Sequence, residues 1–317
     1  MDGGELARRL RERDLSAAPA ALNLIESRAA ADRPQAEALL AGVSPAALGA
    51  EPPARIFGVT GPPGGGKSSL LSRLVAQWRA QDRSVAVLAV DPSSRRSGGA
   101  LLGDRARIEA DPADRQVFIR STAAGTRLGG LAPATRAAVD VLAAAFEVVV
   151  IETVGVGQSE TEVADVADTV AVVVQPGSGD VLQFLKAGIM EVPDVLVVTK
   201  ADLGRTATRA LGDLRAALRS LGASDTPVIA VSSVPPPAGI DELTAALDTQ
   251  WDGMDLRARR LRARRLHALA DFATEHGERG LRALGGRREA ERWLGGQDPG
   301  LDVPALTHGL EQRAGER

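Results

Sequence analysis

The stretch Arg55-Ile56-Phe57-Gly58-Val59-Thr60-Gly61-Pro62-Pro63-Gly64-Gly65-Gly66-Lys67-Ser68-Ser69 decides how the rest of the chain is read. An apolar, β-type run (Ile56 to Thr60) feeds an eight-residue Walker A pattern (Gly61 to Ser68), and helical spacing follows from Ser69 to Arg79. Glycines at Gly61, Gly64, Gly65 and Gly66 let the backbone turn inward, so that its N–H groups and the helix N-terminus face the α- and β-phosphates of a nucleotide. Pro62 and Pro63 belong to the same nucleotide-binding loop, and Ser69 begins the helical run behind it. Lys67 is placed to reach the β- and γ-oxygens, and Ser68 to offer its hydroxyl to Mg²⁺.

Working outward, the flanks repeat one texture. Short β-rich runs occur at Ser84 to Val90, Val117 to Arg120, Val148 to Thr153, Val170 to Gln175, Val195 to Thr199 and Val228 to Val231, with helical stretches between them. Such nearly continuous apolar runs predict a mostly parallel sheet covered on both faces. The fold expected is α/β, a P-loop NTPase domain over 51–250. It carries an N-terminal helical extension over 1–50, closed by the breaker run Glu51-Pro52-Pro53, and a C-terminal helical arm over 251–317. In that arm Ala258, Leu261, Ala268, Leu269 and Phe272 form one apolar stripe, with Arg259, Arg260 and Arg264 pointing away. A stripe of this kind needs a partner surface, which favours a homodimer.

Composition narrows the function classes. The 317 residues are 44% hydrophobic and 25% charged, enough for a true core, and a net charge of -3 offers no broad cationic surface for nucleic acid. There is no cysteine, so thiolate metal sites and cysteine nucleophiles are excluded, and His267, His276 and His308 are scattered over the C-terminal region. No uninterrupted apolar run of membrane-spanning length occurs and no secretory h-region follows the N-terminus, so a cytoplasmic protein with no membrane partner is expected. Lys67, Lys186 and Lys200 are the only lysines among 38 basic residues. In so arginine-rich a chain they mark places where a compact ammonium is needed and a planar fork does not serve.

Three further motifs fall at strand ends. Asp91 closes the run Ser84 to Val90 and Asp104 follows in Leu102-Gly103-Asp104; a carboxylate beside the P-loop strand is where hydrated Mg²⁺ is held. The most apolar run ends in Glu152-Thr153-Val154-Gly155-Val156-Gly157-Gln158-Ser159-Glu160, the layout of a nucleotide switch. Glu152 orients a Mg²⁺-bound water and the Gly155 N–H bonds the γ-phosphate in the triphosphate state only. Gln158 or Glu160 positions the attacking water, the spacing not choosing between them. Finally Thr199-Lys200-Ala201-Asp202 has the form of a guanine reader with Thr in place of Asn. Asp202 accepts from the guanine N1–H and exocyclic amine, Lys200 lays its stem over the base, and Ser232, Ser233 and Val234 offer backbone N–H groups to O6. Thr199 forfeits the second hydrogen bond an amide provides. Lys186, after Gln175-Pro176-Gly177-Ser178-Gly179-Asp180, is assigned a specific polar role.

These residues together resemble the MeaB/ArgK family of GTPases, the G-protein chaperones of adenosylcobalamin-dependent acyl-CoA mutases. Gly61 to Ser68, Asp91-Pro92-Ser93-Ser94, Gly98-Gly99, Leu102-Gly103-Asp104, Glu152 to Glu160, the stretch from Pro176 to Lys186 and Thr199 to Asp202 carry the resemblance, and Leu22-Asn23-Leu24-Ile25-Glu26-Ser27 extends it to the N-terminal helices. The resemblance implies a GTPase that binds GTP and GDP with Mg²⁺, docks on a B12-dependent mutase such as methylmalonyl-CoA mutase, gates cofactor loading, and protects or reactivates the mutase. It implies that Lys67, Asp91, Asp104 and Glu152 serve nucleotide and metal, that Asp180 to Lys186 is a third switch, and that the C-terminal helices dimerise. Three rivals stand beside it: a metallochaperone-type GTPase, which wants Cys or clustered His; a P-loop kinase, which predicts a phosphorylated acceptor; and a nucleotide-dependent interaction module with negligible turnover.

Overall fold

The computed structural model describes residues 2–91, 108–123, 131–153, 159–177 and 193–315. The chain divides into two compact units, one of residues 54–135 and 146–254, the other of residues 1–53, 136–145 and 255–317. Helices before and after the strand-bearing segment, separate in the sequence reading, therefore share one unit.

The first unit is built on seven strands: β1 (Arg55–Thr60), β2 (Val85–Asp91), β3 (Val117–Ala123), β4 (Val148–Thr153), β5 (Thr169–Val174), β6 (Val195–Val198) and β7 (Val228–Ala230). All seven runs expected from the sequence are strands, with ends displaced by no more than a few residues. They form one parallel sheet in the order β3-β2-β4-β1-β5-β6-β7. β1 thus lies between β4 and β5, with the P-loop leaving its C-terminal end. Its start is pinned by Asp168, whose Oδ2 accepts from the Ile56 N–H at 3.1 Å and from Trp251 Nε1 at 3.0 Å.

On one side of the sheet, the helix Lys67–Ala80 presents Leu70, Leu71, Leu74, Val75 and Trp78, an i, i+4, i+8 pattern that buries one face. Trp78 stacks on Phe57 of β1 with centroids 5.5 Å apart and planes 12° from parallel, an offset arrangement that aromatic rings favour. Ile240, Leu243 and Leu247 of the helix Ile240–Asp252 complete this cluster. On the other side, β1 needs a glycine: a Cβ on Gly58 would stand 2.7 Å from Val163 Cγ2 of the helix Ser159–Val166.

The second unit is helical. In chain order its elements are α1 (Gly3–Arg11), α2 (Ala18–Glu26), α3 (Arg33–Gly42), α4 (Pro45–Leu48), residues 136–145, α5 (Leu256–Ala283), α6 (Arg287–Gly295) and α7 (Val303–Gly315). The C-terminal stripe is covered within the chain: Ala268, Leu269 and Phe272 pack with Leu281, Leu284, Ala290, Leu294, Leu306 and Leu310. The stripe therefore no longer argues for a second copy. Two expectations for it are corrected. Ala258 is exposed, and Arg260 and Arg264 do not point away but are 8% exposed each. Arg260 donates to the Pro52 carbonyl at 2.5 Å, and Arg264 forks onto both Glu51 oxygens at 2.9 and 2.7 Å and donates to the Pro299 carbonyl at 2.8 Å. Arginine suits such a buried pairing because its donors match a carboxylate two at a time.

One largely buried group of this unit costs it stability in acid, an effect opposed by the carboxyls of Asp140, Asp271 and Asp302, which desolvation pushes up. Burial, helped by the Arg136 guanidinium, pushes the His267 imidazole down to about 3. Between that value and the ordinary 6.5 the unfolded chain carries a proton on this imidazole that the folded chain does not, so the contribution of His267 to stability falls as pH falls through this window. Replacing His267 with Leu should remove that slope. Relative to wild type, the variant is expected to gain about 3 kcal/mol between pH 7.5 and pH 4, read from urea unfolding at each pH. A difference between the two proteins that does not change with pH would refute the assignment.

Candidate functional site

The site starts from the sharp exit of β1. Gly61 has φ 138°, and a Cβ there would lie 2.4 Å from the Val173 carbonyl oxygen of β5, so only glycine lets the loop leave the sheet at this point. Gly66, at φ 89°, starts the helix Lys67–Ala80 from a left-handed conformation. Between them the Gly65 N–H donates to the Pro62 carbonyl at 3.1 Å, and the Leu70 N–H closes the first helical turn on the Gly66 carbonyl at 2.9 Å. The result is a turn held by its own backbone and followed directly by a helix N-terminus, which favours anions.

Lys67 lies inside this turn, only 7% exposed, and its Nζ donates to the Gly61 and Pro62 carbonyls at 2.7 and 3.1 Å. Ser68 faces the neighbouring strand: its Oγ donates to Glu152 Oε1 at 3.2 Å. Glu152 sits near the tip of β4, 4% exposed, in register with Val59 of β1 and Ala89 of β2. An octahedral Mg²⁺ at 2.0–2.1 Å from its ligands sets neighbouring ligands about 3 Å apart, so this hydroxyl and carboxylate have the chemistry and spacing to share one ion. Behind them Thr153 Oγ1 donates to Thr60 Oγ1 at 2.8 Å, tying the ends of β4 and β1 together.

The opposite wall comes from β6 and β7. Thr199, 3% exposed, donates from Oγ1 to the Gly65 carbonyl at 2.6 Å. The shorter side chain therefore keeps a tether to the phosphate loop, which the sequence reading does not anticipate. Lys200 adopts φ 54° and donates from Nζ to the Gly64 carbonyl at 3.1 Å. Asp202 Oδ1 accepts from Ser232 Oγ at 2.8 Å, and that same Oγ accepts from the Val234 N–H at 3.3 Å. Arg73 adds a contact that no motif signals, donating from Nε to the Ser233 carbonyl at 3.0 Å. Helical spacing from Lys67 could at best show which face Arg73 occupies.

The structure thus brings together Gly61 to Ser69, Glu152, Thr199, Lys200, Asp202, Ser232, Ser233 and Val234. Asp104, Gly155, Gln158 and Lys186 lie outside the described residues, and of Asp91 only the backbone, at the last position of β2, is described.

A parallel sheet with a Walker A loop leaving its central strand, a buried acid at the neighbouring strand tip and a third motif bonded to the loop defines a P-loop NTPase. The profile described as Methylmalonyl Co-A mutase-associated GTPase MeaB matches residues 18–281, and the chain belongs to that family. Among relatives, a Pyrococcus horikoshii protein named as a GTPase is 44% identical over 199 residues, which cover 62% of this chain and 60% of that one. The chain therefore spans about 60% of the length of the relatives it matches first. The mouse mitochondrial methylmalonic aciduria type A homolog is 42% identical over 146 residues, 46% of this chain and 35% of that protein. A solved structure titled LAO/AO transport system kinase superposes with a TM-score of 0.67 at 27% identity, covering 98% of this chain and 96% of that one.

Proposed function

We propose that this protein binds GTP with Mg²⁺, hydrolyses it, and uses the cycle to serve an adenosylcobalamin-dependent acyl-CoA mutase, methylmalonyl-CoA mutase being the leading partner. The observation that carries the nucleotide part is the convergence of Lys67, Ser68 and Glu152 on one side of the loop with Thr199 bonded to its other side. Family membership supports the mutase.

In this reading Lys67 exchanges its two loop carbonyls for phosphate oxygens when GTP enters, and so trades neutral acceptors for charged ones. Ser68 and Glu152, with Asp91 and Asp104 from the adjoining segment, hold the metal. When bound, Mg²⁺ neutralises charge on the β- and γ-phosphate oxygens. Gly155 senses the γ-phosphate, Gln158 or Glu160 positions water, and Lys186 belongs to a third switch that rearranges on the partner. Asp202 reads guanine while Lys200 covers it. Hydrolysis then gates cofactor loading and reactivation of the mutase in the cytoplasm, with the C-terminal helices forming a homodimer as the resemblance implies.

The test combines the purified chain with purified mutase. Slow phosphate release from GTP should rise several-fold on adding the mutase, and cofactor retention by the mutase should change with the nucleotide supplied. An unaltered rate together with unaltered retention would remove the chaperone reading. Transfer of the γ-phosphate to an acceptor, with no free phosphate, would make the protein a kinase instead.

A further inference from the structure

The three histidines are scattered along the sequence, yet two of them meet on one carboxylate. His276 of α5 places Nε2 3.1 Å from Glu311 Oε1 of α7, and His308, one turn before Glu311, places Nδ1 3.4 Å from Glu311 Oε2. Glu275 joins them: ligand atoms from Glu275, His276 and Glu311 all lie within 4.8 Å of one another. We propose that this cluster is a surface site for a divalent transition-metal ion of the Zn²⁺ class, separate from the phosphate loop and independent of the function proposed above.

Three physical arguments support the site. The first is ligand chemistry: the imidazole of His276 beside the carboxylates of Glu275 and Glu311 suits Zn²⁺, Co²⁺ or Ni²⁺, whereas Mg²⁺ and Ca²⁺ take oxygen alone. The second is spacing. A tetrahedral ion with Zn–N near 2.0–2.1 Å and Zn–O near 2.0–2.2 Å separates its ligand atoms by about 3.3 Å. The His276–Glu311 separation of 3.1 Å is close to that figure, and the Glu275 oxygen, within 4.8 Å of both, has only to be drawn inward for loading. The third is pre-organisation. The His276 ring rests on the buried Phe272 ring at 4.6 Å between centroids, and the chain beyond it returns so closely that a Cβ on Gly280 would lie 2.4 Å from His276 Cβ. The return begins at Gly277, whose φ of 59° interrupts the helix immediately after the ligand. His308 and Glu311 share a face because residues three apart in a helix are neighbours. An ion here would join α5 to α7 by bonds stronger than the present hydrogen bonds.

The experiment uses the full chain without an affinity tag, stripped with chelator and then kept in millimolar Mg²⁺ and GDP so that the phosphate site is occupied. Zn²⁺ is titrated in competition with a chromophoric chelator. Wild type should take up one equivalent per chain, and Co²⁺ should give the visible absorption of a low-coordinate site. His276→Ala and Glu311→Gln should each weaken Zn²⁺ at least about tenfold while leaving the circular dichroism unchanged. Glu311→Gln keeps the shape of the side chain, and so separates loss of a ligand from loss of packing. No stoichiometric uptake by wild type in that excess of Mg²⁺, or unchanged affinity in a protein carrying both substitutions, would each overturn the site and leave only an imidazole–carboxylate contact.

Discussion

Lys67→Ala is expected to lower GTP turnover by about 10²- to 10³-fold, the usual cost of losing one preorganised charge-stabilising donor. The ammonium is already in place: it is buried and held by the Gly61 and Pro62 carbonyls, so little reorganisation is needed when phosphate oxygens replace them. That placement also explains why lysine survives in a chain with so few of them. A guanidinium is planar and wider than an ammonium, and the Lys67 nitrogen meets both carbonyls, at 2.7 and 3.1 Å, from a position only 7% exposed that a bulkier head group would have to enlarge. Lys67→Arg should therefore be nearly as inactive as Lys67→Ala despite keeping the charge. Because the side chain also holds the loop together, each variant needs its thermal midpoint recorded beside its rate. Undiminished single-turnover hydrolysis by a folded Lys67→Ala protein would remove the phosphate-loop assignment.

The strand-bearing unit is readable from the sequence because its signals are local. β1 and β4 are unbroken apolar runs ending in glycine or an acid, and pattern alone locates them to within a residue or two. The helical unit is not readable in the same way. Its α1, residues 136–145 and α5 come from three separated parts of the chain, and no periodicity within one segment announces the others. Arg260 and Arg264 are misplaced by the sequence reading for the same reason: the Pro52 carbonyl and Glu51 that bury them are some two hundred residues away. At the site, the motif spacing locates Lys67, Glu152 and Asp202, but the Thr199 tether depends on the backbone geometry of a glycine loop far upstream, which side-chain pattern does not encode. The convergence of His276 and His308 on Glu311 needs the fold of α5 against α7, and scatter along a sequence says nothing about it.

Asp202→Asn carries the second large effect, on which base is accepted rather than on how fast phosphate leaves. Guanine offers two donors, N1–H and the exocyclic amine, and a carboxylate can accept both. An amide can accept one at most and turns its own N–H₂ group toward the other. Two charge-assisted hydrogen bonds at about 1.5–3 kcal/mol each correspond to a loss of about 10²- to 10⁴-fold in GTP affinity. Xanthine replaces the exocyclic amine with a carbonyl, so the substituted amide would regain a donor–acceptor match, and affinity for the xanthine nucleotide should rise as that for GTP falls. Backbone support for this position is independent of the substitution: Lys200 at φ 54° and the Ala201 N–H on the Val231 carbonyl at 3.0 Å hold the turn. Ser232 Oγ, which donates to Asp202 Oδ1 at 2.8 Å, can donate equally to an amide oxygen, whose second lone pair is left for the xanthine N1–H while the N–H₂ faces the new carbonyl. Titration of a fluorescent GTP analogue against unlabelled GTP and XTP reads both affinities in one experiment. Equal GTP affinity in the variant and wild type would mean that Asp202 does not face the base, whatever the phosphate loop does.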